Sequence, residues 1–165
     1  MENRICVDSP IGPLTIAESD GEIVALSFGE GQPAGVCTEI LHEAERQLHQ
    51  YFAGERQAFD LPVRPAGTPF QRSVWQALAE IPFGETRTYA EIARRIGRPK
   101  ACRAVGMANH VNPIPVIIPC HRVIGADGSM TGYAGGLDVK RRLLALEGAQ
   151  VKQKRTAPPE GNAAR

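Results

Sequence analysis

The stretch Thr88-Tyr89-Ala90-Glu91-Ile92-Ala93-Arg94-Arg95-Ile96-Gly97-Arg98-Pro99-Lys100-Ala101-Cys102-Arg103-Ala104-Val105-Gly106-Met107-Ala108-Asn109 sets the architecture. Thr88 followed three residues later by Glu91 is a capping box, in which each side chain satisfies an open backbone N–H of a starting helix. The pattern predicts a helix from Thr88 to about Ile96. Gly97-Arg98-Pro99 forms a tight turn, and another helix is expected from Lys100 to about Asn109. Two short helices joined by a three-residue turn containing glycine give a helix-turn-helix outline. Arg94, Arg95, Arg98, Lys100 and Arg103 crowd the segment with positive charge. Such a face suits a polyanion or, equally, plain solvation.

Upstream, Thr68-Pro69-Phe70-Gln71 announces a helix. Thr68 is a good N-cap, Pro69 suits the first helical position and Gln71 completes a second capping box. This helix should run to Glu80 and stop at Pro82 and Gly84. Before it, 61–67 is rich in proline and glycine and reads as a linker. Downstream, Val111-Asn112-Pro113 makes a turn, and Ile114-Pro115-Val116-Ile117-Ile118-Pro119 is apolar and extended. That run is expected to be a buried, strand-like segment delivering Cys120 to a fixed place. A glycine-rich loop (Gly125, Gly128, Gly132, Gly135, Gly136) and a last helix from Asp138 to Glu147 follow.

Toward the N-terminus, Ile11–Ala17 and Ile23–Phe28 read as two strands, with turn chemistry at Ser19-Asp20-Gly21-Glu22. A helix from Thr38 to about Ala53 carries Ile40, Leu41, Ala44, Leu48, Tyr51 and Phe52 on one side, with Gly54 at its end. The fold class is therefore α+β. A small N-terminal α/β lobe (residues 1–60, a β-hairpin or sheet plus a helix) precedes the 61–67 linker. A mainly helical, winged-helix-like lobe with the helix-turn-helix occupies 68–149, and 150–165 is expected to be a flexible basic tail.

Net charge is only +1, but residues 1–66 hold 11 acidic against 4 basic side chains, whereas 67–150 hold 11 basic against 6 acidic. The basic half suits a polyanionic partner. No run of about 18 apolar residues is present, so no membrane helix is expected. The polar start Met-Glu-Asn-Arg-Ile-Cys lacks the features of a signal peptide. A soluble, cytosolic protein is expected. The four cysteines (Cys6, Cys37, Cys102, Cys120) form no CxxC pair and read as free thiols.

Cys120 is distinguished by its neighbours in Pro119-Cys120-His121-Arg122. A thiolate is the nucleophilic form, and a nearby base or cation lowers the thiol pKa. Adjacent residues in a strand need not face each other, so a water between Cys120 and His121 would solve the geometry. Glu147 is placed to orient His121 and balance its charge, as in other nucleophile-base-carboxylate triads. His121 and Glu147 are expected to lower the Cys120 pKa.

Pro119-Cys120-His121-Arg122-Val123, together with Asn112-Pro113-Ile114-Pro115 and Gly132-Tyr133-Ala134-Gly135-Gly136, resembles the O6-alkylguanine-DNA alkyltransferase family. The resemblance spans roughly residues 68–148, and Asp8-Ser9-Pro10-Ile11-Gly12 is similar to the family's opening. It implies a monomeric protein that moves an alkyl group from O6 of guanine, and O4 of thymine as a further lesion, in double-stranded DNA onto Cys120, once and without a cofactor. It also implies a helix-turn-helix that enters the minor groove and flips the damaged base. Arg103 would fill the gap, while Ala101, Ala104 and Ala108 permit close approach and Lys100 and Arg94 contact DNA. Tyr89 would donate to N3 of guanine, and the carbonyls of Cys120 and Val123 would read its amine. Asn112 would brace the turn before the active-site segment. The substrate pocket would take in Tyr89, Val123, Tyr133, Ala134, Pro115 and Asn109. Ala134 stands where some members have serine, so a backbone amide would have to serve the guanine oxygen. Some members hold zinc in the N-terminal lobe, but Cys6, Cys37 and His42 do not reproduce that spacing, and no metal is expected.

Three other readings compete. A lesion-binding module that does not repair would lack the cysteine in the Pro-Cys-His-Arg position. A cysteine hydrolase using Cys120, His121 and Glu147 would turn over repeatedly and would not need the basic helices. A transcription regulator would leave the Cys-His pair unexplained.

Overall fold

A computed structural model describes residues 2–130 and 132–149, so the expected tail at 150–165 lies outside the described residues. Three antiparallel strands open the chain: β1 (Glu2–Val7), β2 (Leu14–Ser19) and β3 (Glu22–Phe28), in that spatial order. The β2–β3 hairpin turns on Asp20 and Gly21, both at positive φ (53° and 81°). Only a turn of that hand follows the right-handed twist of the strands, which is why an Asp-Gly pair stands there. The sequence pattern does not announce β1. Its residues are mostly half-buried, as befits an edge, so they carry no clean alternation of apolar and polar positions.

Helix α1 (Glu39–Phe52) packs on the sheet through Leu41, Ala44, Leu48 and Tyr51. Thr38 caps it by accepting from the Leu41 N–H, and Gly54 leaves it at φ +79°, a conformation that favours glycine. The open edge of β3 is covered in two places. Residues of the linker bind it, with Ile23 N–H donating to Pro62 O and Arg64 N–H to Ile23 O, both at 2.8 Å. Farther along, Leu26 N–H donates to Pro113 O at 2.9 Å. The linker thus adds to the sheet rather than swinging free.

The second lobe contains α2 (Pro69–Ala79), α3 (Tyr89–Arg95), α4 (Cys102–His110) and α5 (Leu137–Leu146). A two-residue parallel pair, β4 (Arg87–Thr88) and β5 (Val123–Ile124), joins the start of α3 to the segment after Cys120. Both capping boxes form, at Thr68/Gln71 and Thr88/Glu91. Gly97 turns the chain at φ +78°, and Arg98 N–H donates to Ala93 O at 2.8 Å. The second helix of the motif starts two residues later than expected, leaving Lys100 in the turn. Ala101 offers no side-chain cap, so nothing holds the helix open further upstream. The apolar 114–119 run is no strand: it closes as a tight turn with a bridge between Pro115 and Ile118, because its prolines cannot donate to a ladder. Among the described residues no helix is long and apolar enough to cross a membrane.

Trp75 anchors α2 beneath the motif, its indole N–H donating to Ala108 O at 2.8 Å. A Cβ at Gly67 would stand 2.5 Å from the rigid Trp75 ring. Gly67→Ala is expected to destabilise the protein by about 1–3 kcal/mol, as overpacking does. Urea denaturation followed by tryptophan fluorescence measures it, and a wild-type midpoint would show that the ring yields freely.

Candidate active site

Cys120 begins a short 3-10 turn, Cys120–Arg122, and its side chain is buried, at 3 % exposure. Asn112 fixes the approach to it. Its Oδ1 accepts from Ile114 N–H at 2.9 Å and its Nδ2 donates to Ile118 O at 2.8 Å, so one side chain ties both ends of the apolar turn. Inside that turn Val116 sits at φ +73°. A β-branched residue there stores roughly 1–3 kcal/mol of strain, which the surrounding bonds must hold. The Cys120 N–H then donates to Ile118 O at 2.8 Å, leaving the sulfur little freedom of position.

The thiol does not behave as its neighbours in sequence suggest. Burial pushes its pKa up to about 11, against the opposing pull of the Asn112 amide, the Lys140 ammonium and the Tyr133 hydroxyl that face it. The expectation that His121 and Glu147 lower it is corrected: desolvation wins, and the resting group is a neutral thiol. Neither residue is among the groups that stabilise its charged form.

His121 and Arg122 turn inward toward Glu147, which follows the last residue of α5. His121 is fully buried, and its Nε2 lies 2.8 Å from Glu147 Oε2. Arg122 donates through Nε to Oε1 at 2.9 Å and through a terminal nitrogen to Oε2 at 2.8 Å. Its other terminal nitrogen donates to Ile81 O at 2.6 Å. Tyr51, from α1 of the first lobe, adds its hydroxyl to Oε2 at 2.5 Å. Burial alone would raise the Glu147 pKa, but hydrogen bonds from His121 and Arg122 hold it down at about 2. Burial lowers the His121 pKa, the Arg122 and Lys140 charges adding to the effect and Glu147 opposing it. An ionised carboxylate can only accept, so His121 carries its proton on Nε2. The Nδ1 lone pair remains, with no hydrogen-bond partner among the described residues. The result is a neutral imidazole with its basic nitrogen open.

Asn109 is buried, donating through Nδ2 to the Cys120 carbonyl at 3.4 Å. Val123, Pro115 and Tyr133 are buried around the thiol segment, whereas Ala134 is exposed. The Tyr133 ring meets Phe28 of β3 edge-on at 5.7 Å. Tyr89 is half-buried, and a Cβ on Gly106 of α4 would lie 3.9 Å from its ring. Outside, Arg94, Lys100, Arg103 and Ala104 are exposed and Ala101 is half-buried. Arg95 is held by Glu80 at 2.9 Å, whereas Arg94, Lys100 and Arg103 make no ion pair among the described residues.

Three participants escape a reading of the sequence: Tyr51, Lys140 and the inward role of Arg122. Lys140 is completely buried in α5, and burial lowers its pKa to about 8 while Cys120 opposes the shift. It shares a helical stripe with Leu143, Leu144 and Glu147, and a lysine on an apolar stripe is the signal that would have found it.

Residues 69–149 match the family described as 6-O-methylguanine DNA methyltransferase, DNA binding domain, and residues 4–65 match its ribonuclease-like domain. A methylated-DNA–protein-cysteine methyltransferase of Methanosarcina acetivorans is 54% identical over 149 residues, covering 86% of this chain and 96% of the relative. The constitutive methylated-DNA–protein-cysteine methyltransferase of Bacillus subtilis is 46% identical over 158 residues, covering 89% and 96%. The crystal structure of Mycobacterium tuberculosis OGT in complex with DNA superposes with a TM-score of 0.79 at 49% identity, over 87% of this chain and 91% of that one.

The depressed Glu147 pKa ties the cluster to acid stability. An unfolded glutamate titrates near 4.3, so the stabilisation is complete above roughly pH 5 and is lost as pH falls toward 2. In Glu147→Gln, urea midpoints measured between those limits should depend less on pH than wild type. At neutral pH the variant should lose about 3–5 kcal/mol, because Arg122 is left buried and unpaired. An unchanged pH slope would show that the carboxylate is not held ionised by its partners.

Proposed function

The chain belongs to the 6-O-methylguanine DNA methyltransferase family, and on that premise we propose that it repairs DNA by carrying an alkyl group from O6 of guanine onto Cys120. Its activity is that of a methylated-DNA–protein-cysteine methyltransferase, an enzyme consumed by its own reaction. The observation that carries the assignment to Cys120 is a buried thiol followed directly by a neutral imidazole whose tautomer is fixed by an ionised carboxylate.

A sulfur this deeply buried cannot reach a base stacked inside a duplex, so the guanine must be flipped out to meet it. Arg103 fills the space left in the stack, and Lys100 and Arg94 hold phosphates. Ala101 and Ala104 present little bulk, which lets α4 approach the minor groove. Within the pocket the carbonyls of Cys120 and Val123 read the guanine amine, the Ala134 backbone amide meets the oxygen, and Tyr133 and Pro115 enclose the alkyl group with Asn109 behind.

The step balances without a cofactor. The Cys120 proton passes through a water to His121 Nδ1, and Glu147 stabilises the imidazolium that results. The sulfur lone pair attacks the alkyl carbon in line with O6, a C–S bond forms, and the C–O6 bond breaks with its electrons moving onto the purine. Tyr89 donates a hydrogen bond to N3 as that charge develops. The proton taken up by His121 passes back through water to the departing guanine, which leaves neutral and restores the neutral imidazole. The thioether is a poor leaving group, so each molecule acts once. The protein is expected to work as a monomer on the chromosome in the cytosol, with O4-alkylthymine as a second substrate.

Intact-protein mass after mixing with a duplex carrying one O6-methylguanine tests the assignment. A gain of one methyl, stopping at one, mapped to Cys120 and absent from Cys120→Ser, is expected. Methylation elsewhere, or repeated turnover, would overturn it. Lys140 gives a second test. Its ammonium favours the thiolate, so Lys140→Met should slow transfer below about pH 8, where wild-type Lys140 is protonated, and approach the wild-type rate above it. The rate at pH 7 should fall about tenfold and recover at higher pH. A uniform loss at every pH would instead mean that Lys140 serves packing alone.

A further inference from the structure

The outer face of α4 carries more than charge. Val105, Ala108 and Asn109 point into the core, which leaves Arg103, Met107, His110 and Val111 along the opposite stripe, at the spacing of a helix surface. On that stripe Met107 is 63% exposed and Val111 47% exposed. Both are among the few large apolar side chains left open among the described residues, and Met107 lies one helical turn from the exposed Arg103. Cations on this face meet phosphate, but a thioether and a valine gain nothing from phosphate. What lies between the phosphates of a duplex is carbon-hydrogen surface: deoxyribose rings and the edges of bases.

We propose that Met107, flanked by Val111, is an apolar wedge that packs against deoxyribose in the groove occupied by α4 and supplies a salt-insensitive share of the affinity for lesion duplex. The inference rests on the reading of α4 as the DNA-binding helix. Met107 follows Arg103 by four residues, about 6 Å along the helix. The wedge therefore stands one helical turn from the side chain proposed to fill the gap. Methionine is well matched to such a surface, because an unbranched, polarizable side chain conforms to irregular contours. Proteins that bend or open the minor groove insert side chains of this kind. Lesion capture then has two parts, a cationic one that weakens with salt and an apolar one that does not.

Because Met107 is exposed, Met107→Ala should fold normally, and Met107→Leu serves as the conservative control. Second-order transfer rates are measured from a duplex carrying O6-methylguanine at 50 and 200 mM salt, and from the free base O6-benzylguanine. Met107→Ala is expected to slow transfer from the duplex about 5- to 10-fold at both salt concentrations, a loss of the size of one partly buried apolar side chain. The free-base rate should be unchanged, and Met107→Leu should restore most of the duplex rate. A wild-type duplex rate in Met107→Ala overturns the proposal. So does a loss that shrinks or grows with salt, which would make the effect electrostatic, or an equal loss on the free base, which would place it in the pocket. A wild-type protein inert toward both substrates would instead sink the underlying reading of the site, and the wedge with it.

Discussion

One buried carboxylate organises the molecule. Glu147 accepts from His121, twice from Arg122 and once from Tyr51, and these donors come from the segment after the thiol and from the first lobe. Oε2 takes three of these bonds and Oε1 one, four in all on a group that can only accept. Removing a charge from water costs several kcal/mol unless its partners are in place, so the cluster forms as a unit or not at all. The end of α5, the 3-10 turn and α1 are thereby held to one point. The N-terminal lobe thus contributes a side chain, Tyr51, to the cluster itself.

A second constraint acts on the backbone. The apolar turn before Cys120 is tied by Asn112 at both ends and by Leu26 of β3 through Pro113, with Val116 held at a positive φ between them. Strain of that kind persists only where surrounding bonds over-determine the geometry. The sheet edge and the asparagine do so, and the consequence is a sulfur with a fixed position. In an in-line displacement, position is worth more than intrinsic nucleophilicity, since the alkyl carbon must lie within about 3–3.5 Å and in line.

Much of this is legible from residues alone, and the failures share a cause. Capping boxes at Thr68 and Thr88, the Asp20-Gly21 hairpin and the apolar stripe of α1 are local devices, and local devices can be read from a sequence. The pairing of His121 with Glu147 is legible, but the electrostatics at Cys120 is not, because adjacency in sequence says nothing about desolvation. Tyr51 is invisible for a related reason. It lies on an otherwise apolar helical stripe, where the pattern reads only "core", and the partner of its hydroxyl is 96 residues away. β1 and the turn at 114–119 fail differently: an edge strand needs no strict alternation, and a proline-punctuated apolar run fits either a strand or a turn.

The raised thiol pKa looks at first like poor design for a nucleophile, since the thiolate is the reactive form. Its effect depends on what the sulfur must avoid. Burial raises the thiol and lowers the imidazole, so the two shifts together oppose transfer of the proton from sulfur to His121. At rest both groups are neutral. An ion pair of thiolate and imidazolium exists only along the path of the reaction, where the proposed attack on an alkyl carbon draws the charge off sulfur and Glu147 already waits to balance the imidazolium. A free, permanently ionised thiolate would react with any passing electrophile, and a protein that forms an irreversible thioether has only one such encounter to lose. Desolvation therefore acts as selectivity. It withholds the nucleophile until a bound lesion supplies the reason to release the proton.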